Sequence, residues 1–150
     1  MNATMTALKG IPIKVVSAEQ DGGSIGGGLI AILREVAQML ERLAEYDESG
    51  SIDLRSLPFS PDDFARLRNV LGDGEVEITL NADGISLLKE TGYHGVWWIQ
   101  HRNGNDEMVA ELLEIARIPA IAMVPAEDIV QSAERLKSRL SIHTAGRSAQ

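Results

Sequence analysis

Apolar and polar residues alternate without a break from Glu75 to Leu80. Val76, Ile78 and Leu80 fall on one side, and Glu75, Glu77 and Thr79 on the other. Period two predicts a half-buried strand. Asn81-Ala82-Asp83-Gly84 then offers the residues of a tight reversal, so Ile85–Thr91 reads as the returning strand of a hairpin. Gly92-Tyr93-His94-Gly95 turns the chain again into Val96–His101, rich in aromatic and β-branched residues. Glu107–Ile118 has the composition of a helix. Asn103-Gly104 ahead of it is nonetheless a hairpin signal, which would make it a fourth strand.

The period changes to that of a helix in three places. Leu29, Leu33, Val36, Leu40 and Leu43 are spaced 4-3-4-3 within Leu29–Tyr46, and Ile32, Met39 and Tyr46 add a second row. The stripe fits packing on the chain's own sheet. The doubled row also leaves room for a heptad seam and hence a homodimer. Ser60-Pro61-Asp62-Asp63 is a strong helix start, with Ser60 as N-cap and Asp63 at the capping-box position. The helix it opens should run Pro61–Leu71, stop at Gly72 and bury Phe64, Leu67 and Leu71. Capping explains the acidic pair without a metal. Ala120–Val124 reads as extended. A last helix begins at Pro125, with Ile129, Val130, Ala133, Leu136 and Leu140 expected inward.

The expected architecture is α+β: an antiparallel meander of three to four strands with helices packed on one face. Residues 25–140 form its single domain. Residues 1–24 are an N-terminal extension that runs into a Gly-rich linker, Asp21–Gly28, overlapping the start of the domain, and residues 141–150 are a frayed tail. Gly26-x-Gly28-x-x-Ala31 matches a loose dinucleotide fingerprint. A linker reading is preferred, because only Ile52-Asp53-Leu54 is available as the next strand of a Rossmann unit.

Composition narrows the chemistry. The chain has 150 residues, 24% of them charged, and a net charge of −8, which disfavours nucleic acid. It contains no cysteine, so it has no disulfide, no thiolate nucleophile and no thiolate ligand for a metal or cluster. No apolar run reaches the length of a membrane span, and a cytoplasmic protein is the default expectation. Of the three histidines, His94 and His101 lie seven apart, which sends them to opposite faces of a regular strand. His143 falls in the expected tail. No nucleophile elbow or metalloprotease helix is present. Neither catalytic nor metal-binding residues are assigned, and no cofactor is expected.

Five words in order carry a family resemblance: Ile52-Asp53-Leu54, Leu57-Pro58, Leu71-Gly72-Asp73-Gly74-Glu75-Val76, Tyr93-His94-Gly95-Val96-Trp97-Trp98 and Pro125-Ala126-Glu127-Asp128-Ile129. Across about Ile25–Leu136 the chain resembles the hydrogenase expression/formation proteins of the HupH/HyaF type. The resemblance implies an accessory protein in the maturation of nickel–iron hydrogenases, and it favours the strand reading of Glu107–Ile118. Many members are longer, with a second related region; this chain has one copy. Without cysteine, the implied mode of action is protein contact with a hydrogenase subunit precursor or with other accessory proteins. Tyr, Trp and Arg are enriched at such interfaces. Adjacent tryptophans on a strand face opposite ways. Trp98 shares its side with His94, Val96, Gln100 and Arg102, the more polar set, so Trp98 is expected outward and Trp97 in the core. Tyr93, His94, Trp98, Gln100 and Arg102 are the expected partner surface. Two alternatives stand beside this one. Both indoles could be core, one on each side of a covered sheet; or the chain could be a small enzyme or ligand-binding domain using His94 or the Gly-rich loop.

Overall fold

A computed structural model describes residues 26–145, with side chains through His143. Among these residues, five strands form one antiparallel sheet: β1 Gly50–Asp53, β2 Glu77–Ala82, β3 Gly84–Glu90, β4 Val96–Asn103 and β5 Met108–Ile115. Their order across the sheet is β1-β5-β4-β3-β2. The meander is thus present, with β1 as one strand more than expected, pairing Ile52 with Leu113 at the edge. Glu107–Ile118 is resolved in favour of a strand. Its Ala, Leu and Glu residues favour helix locally, but pairing on both sides satisfies its backbone, and tertiary context overrides propensity. The β2–β3 reversal narrows to Asp83, between paired Ala82 and Gly84. Every strand pairing is antiparallel, so the described residues contain no parallel unit of the dinucleotide-binding kind. Residues 21–25 of the Gly-rich segment lie outside the described residues.

Among the described residues, three α-helices accompany the sheet: α1 Gly27–Tyr46, α2 Pro61–Leu71 and α3 Ala126–Ala145. In α1, Leu29, Ile32, Val36 and Leu43 are buried, while Leu33, Met39 and Leu40 are half-buried against the same core. Its stripe therefore faces the chain's own sheet. In α2 the capping box forms as the sequence predicts. The Asp63 N–H donates to Ser60 Oγ at 3.2 Å, and the Ser60 N–H donates to Asp63 Oδ2 at 2.9 Å. The Ser60 N–H, and the Ser60 hydroxyl donating to the same Oδ2 at 2.8 Å, stabilise the ionised carboxyl, so Asp63 is held below the usual aspartate range, chiefly by the backbone N–H. Leu67 and Leu71 are buried, and Phe64 meets Phe59 edge-on with centroids 5.5 Å apart.

One face of the sheet carries the main core. Val96, Trp98, Leu113, Ile115 and Ile52 lie there under α1 and α2. The opposite face carries a smaller core of Leu88, Trp97 and Ile99, with Ile78, Leu80, Leu112 and Ala122 beside it. Ala122 belongs to a single 3-10 turn, Ala120–Ala122, where an extended segment was expected. The third helix departs further from expectation. Ile129, Val130, Leu136 and Leu140 are 58–62% exposed instead of inward, and every described residue from Met123 to His143 is exposed. The main face is already occupied by α1 and α2, so an amphipathic pattern here does not bring the helix onto it. The helix also continues to Ala145, into the segment expected as a tail.

Candidate interaction surface

The turn between β3 and β4 is fixed from three directions. Thr91 is buried, and its Oγ1 accepts the Tyr93 N–H at 3.2 Å. The Gly92 N–H donates to the Leu71 carbonyl at the end of α2, and the Ala116 N–H donates to the Gly95 carbonyl, each at 2.9 Å. Gly74 crosses so close that a Cβ there would lie 2.4 Å from the Thr91 carbonyl oxygen. A side chain cannot be fitted there without moving backbone. The Leu71–Val76 and Tyr93–Trp98 words of the sequence are therefore two halves of one backbone junction. Gly95, at φ +85°, completes it in a conformation that disfavours other residues.

This junction presents Tyr93 and His94 to solvent. Tyr93 is 51% exposed. The His94 side chain is 89% exposed, its Nδ1 3.3 Å from Glu90 Oε1. Beside them lies an open groove of about 370 Å³ lined by Leu40, Leu43, Ala44, Glu90, His94, Gly95 and Arg117. Arg117 stands at its rim, with Nε 2.6 Å from Asp47 Oδ1. The floor is aliphatic and the rim carries both signs of charge. Such a groove suits an apolar side chain projecting from another protein's surface.

Trp98 is not part of that surface. It is 6% exposed, and its outward orientation is corrected by the structure. Trp97 and Trp98 do face opposite ways, as alternation along a strand requires, but both sides are covered. Trp98 Nε1 donates to Glu111 Oε1 at 2.8 Å, and the Gln100 amide donates to the same oxygen at 2.7 Å. The Arg68 guanidinium of α2 lies 4.4 Å from the indole centroid. The polar company that pointed outward is thus a network internal to the chain. Trp97, 4% exposed, donates its Nε1–H to the Ala116 carbonyl at 3.0 Å.

Arg102 sits at the far end of β4, bonded to the Asp106 carbonyl within the β4–β5 turn. The eight residues of β4 separate the two turns, about 26 Å at 3.3 Å per residue. The five expected partner residues therefore do not converge. Tyr93 and His94 share one corner, Trp98 and Gln100 belong to an internal network, and Arg102 lies at the opposite end. His101 Nδ1 is 2.7 Å from Ser86 Oγ, and His143 lies on α3. Among the described residues, no three His, Asp or Glu side chains converge as metal ligands, and no helix is long and apolar enough to cross a membrane.

Sequence reasoning missed Leu40, Ala44 and Arg117 as neighbours of His94. Leu40 stands near the middle of the α1 stripe and so reads as core; it is half-buried and also lines the groove. Arg117 carried none, because its position depends on how β5 ends against α1.

Residues 29–143 match the family described as HupH hydrogenase expression protein, C-terminal conserved region. The hydrogenase expression/formation protein HupH of Rhizobium leguminosarum bv. viciae is 29% identical over 135 residues, covering 90% of this chain and 47% of the relative. HoxQ of Azotobacter vinelandii is 31% identical over 77% of this chain and 42% of its own length. The hydrogenase-1 operon protein HyaF of Escherichia coli K12 is 34% identical over 73% of this chain and 39% of its own length. The chain thus spans less than half the length of these curated relatives. A solved structure, the hydrogenase expression protein HupH from Thiobacillus denitrificans, superposes with a TM-score of 0.74 at 40% identity, covering 77% of this chain and 97% of that one. The chain belongs to the HupH hydrogenase expression protein family and carries its C-terminal conserved region.

Proposed function

We propose that this chain is a non-enzymatic, cytoplasmic accessory protein in the maturation of nickel–iron hydrogenase. It acts by contact with a hydrogenase subunit precursor, in concert with other accessory proteins. Family membership supports the pathway. The observation that carries the mode of action is the Tyr93–His94 corner, where an exposed aromatic and an aliphatic groove are set on a rigid backbone junction. A preorganised surface loses little entropy on docking, so a small apolar anchor from the precursor is enough to register it.

Capture of nickel–iron hydrogenase subunit precursors by the tagged chain, after co-expression, tests this reading. Tyr93→Ala and Leu40→Ser together should lower capture at least about tenfold, the loss typical of a central interface anchor. Thermal unfolding of the same variant identifies any loss due to folding. Undiminished capture by a folded variant would remove the corner from the interface. Failure to capture any precursor would remove the contact mechanism itself.

A further inference from the structure

The third helix is a twenty-residue amphipathic rod whose apolar side is exposed along the described length. Ile129, Val130, Ala133 and Leu136 form its central stripe, with Ile129 and Val130 58% and Leu136 62% exposed. Exposed Ile121, Met123 and Val124 extend apolar surface past the start of the helix. Monomeric proteins rarely leave a contiguous apolar surface of this kind uncovered.

We propose that α3 is a self-association element: two copies of this chain pair through their α3 helices in antiparallel orientation. Charge decides the orientation. The first eight residues, 126–133, carry only the acids Glu127 and Asp128, a net −2. Residues 134–143 carry Arg135, Lys137 and Arg139 against Glu134, a net +2. Parallel pairing would set like charge beside like charge along both halves. Antiparallel pairing sets the acidic half of each helix beside the basic half of the other, and opposes the two helix dipoles favourably. Shape agrees with charge. With the two-fold axis between residues 134 and 135, Leu136 of one copy faces Ala133 of the second, a large residue opposite a small one.

The area sets the strength. From Ala126 to Leu136 the stripe runs about 15 Å on a rod about 10 Å across, a footprint on the order of 150 Å² per helix. A tight dimer buries about 1,000 Å² or more in all, so a pair held by this stripe should be weak. The dimer is therefore concentration-dependent, and no α3 residue lines the groove beside His94.

Sedimentation equilibrium of the full chain, from about 5 to 300 µM, tests the proposal. The expected result is a rise from 16.3 kDa toward twice that mass. Leu136→Asp should weaken association at least about tenfold, a shift of one decade in the half-dimer concentration. Circular dichroism of this variant should keep its helical signal, because Leu136 is not part of the described core. A chain that stays monomeric throughout, or a dimer that Leu136→Asp leaves intact, would overturn the proposal. The absence of native cysteine gives a test of orientation. Ala133→Cys, near the proposed axis, should form a disulfide dimer on mild oxidation, and Ala126→Cys, far from it, should not. Equal cross-linking at both positions would show a parallel pair and overturn the antiparallel assignment. Combined Glu127→Lys and Asp128→Lys should weaken the dimer, and adding Arg135→Glu and Arg139→Glu should restore it; restoration failing would remove charge as the orienting force.

Discussion

Helices α1 and α3 are each twenty residues long, and each carries an apolar stripe at helical spacing. In α1 the stripe is closed over by the sheet, with Leu29 and Val36 at 2% and 4% exposure. In α3 the corresponding residues stand more than half exposed. The patterns differ little, but the surroundings differ completely. Glycines 26–28 start α1 without a side-chain cap, so its position depends on the core it joins. α3 leaves the sheet through Ala120–Ala122 after both core faces have their cover. A periodic stripe states that a face must be covered. It does not state whether the cover comes from the same chain.

The largest effects are expected at the sheet itself. If both of its faces are covered, Trp97→Ala and Trp98→Ala should each destabilise by about 3–5 kcal/mol in denaturant unfolding. Trp98→Ala also removes the indole N–H that Glu111 accepts. A nearly neutral Trp98→Ala would mean that α2 does not cover that face, and the outward anchor would return. Slightly smaller is the effect within α1. Leu43→Ala removes a buried residue from the main core and should cost about 2–5 kcal/mol, independent of protein concentration. A cost that changes with concentration would move α1 to the side of α3, as an element completed by a second copy.

Much of this fold was legible because its signals are local. The capping box at Ser60 and Asp63, the alternation through Ile78 and Leu80, and the glycine-rich turn at Gly92–Gly95 each act within a few residues. The strand identity of Met108–Ile115 was not legible from propensity, since pairing with both β1 and β4 decides it. The candidate site was half legible. Tyr93 and His94 sit on a turn, where exposure follows from geometry. Trp98 was misplaced because its polar neighbours Gln100 and Glu111 satisfy one another inside the chain. Hydrophobic parity along β4 separated the two indoles correctly but gave no sign that Arg68 of α2 would cover the second.

Between the two long helices lies α2, held by burial on one side and by its cap at one end. Asp63 is held below its usual range by bonds from Ser60, so its ionised form is favoured by folding. That stabilisation is fully present above the ordinary aspartate value of about 4 and is lost as pH falls through the lowered folded value. Acid titration of unfolding stability should therefore show a decline below about pH 4 that Asp63→Asn reduces. Ser60→Ala should cost about 1 kcal/mol at neutral pH, as the loss of an N-cap usually does. An unchanged acid slope in Asp63→Asn would mean that the box is open in solution, and that α2, like α1, rests on packing alone.

The smallest effect is the most discriminating. Leu136→Ala in α3 replaces a residue of the same type as Leu43, yet its side chain is 62% exposed. Measured at low protein concentration, where the chain is a monomer, the change in unfolding free energy should stay below about 0.5 kcal/mol, the range of exposed substitutions. Alanine also has the highest helix propensity, so no local penalty offsets this. Raising the concentration should open a gap between the wild-type and variant melting temperatures, because association stabilises only the form that can pair. A loss of about 2 kcal/mol or more at low concentration would place Leu136 against the chain's own core. The two helices would then be alike, and the contrast between a stripe covered from within and a stripe left for another molecule would fail at its weaker end.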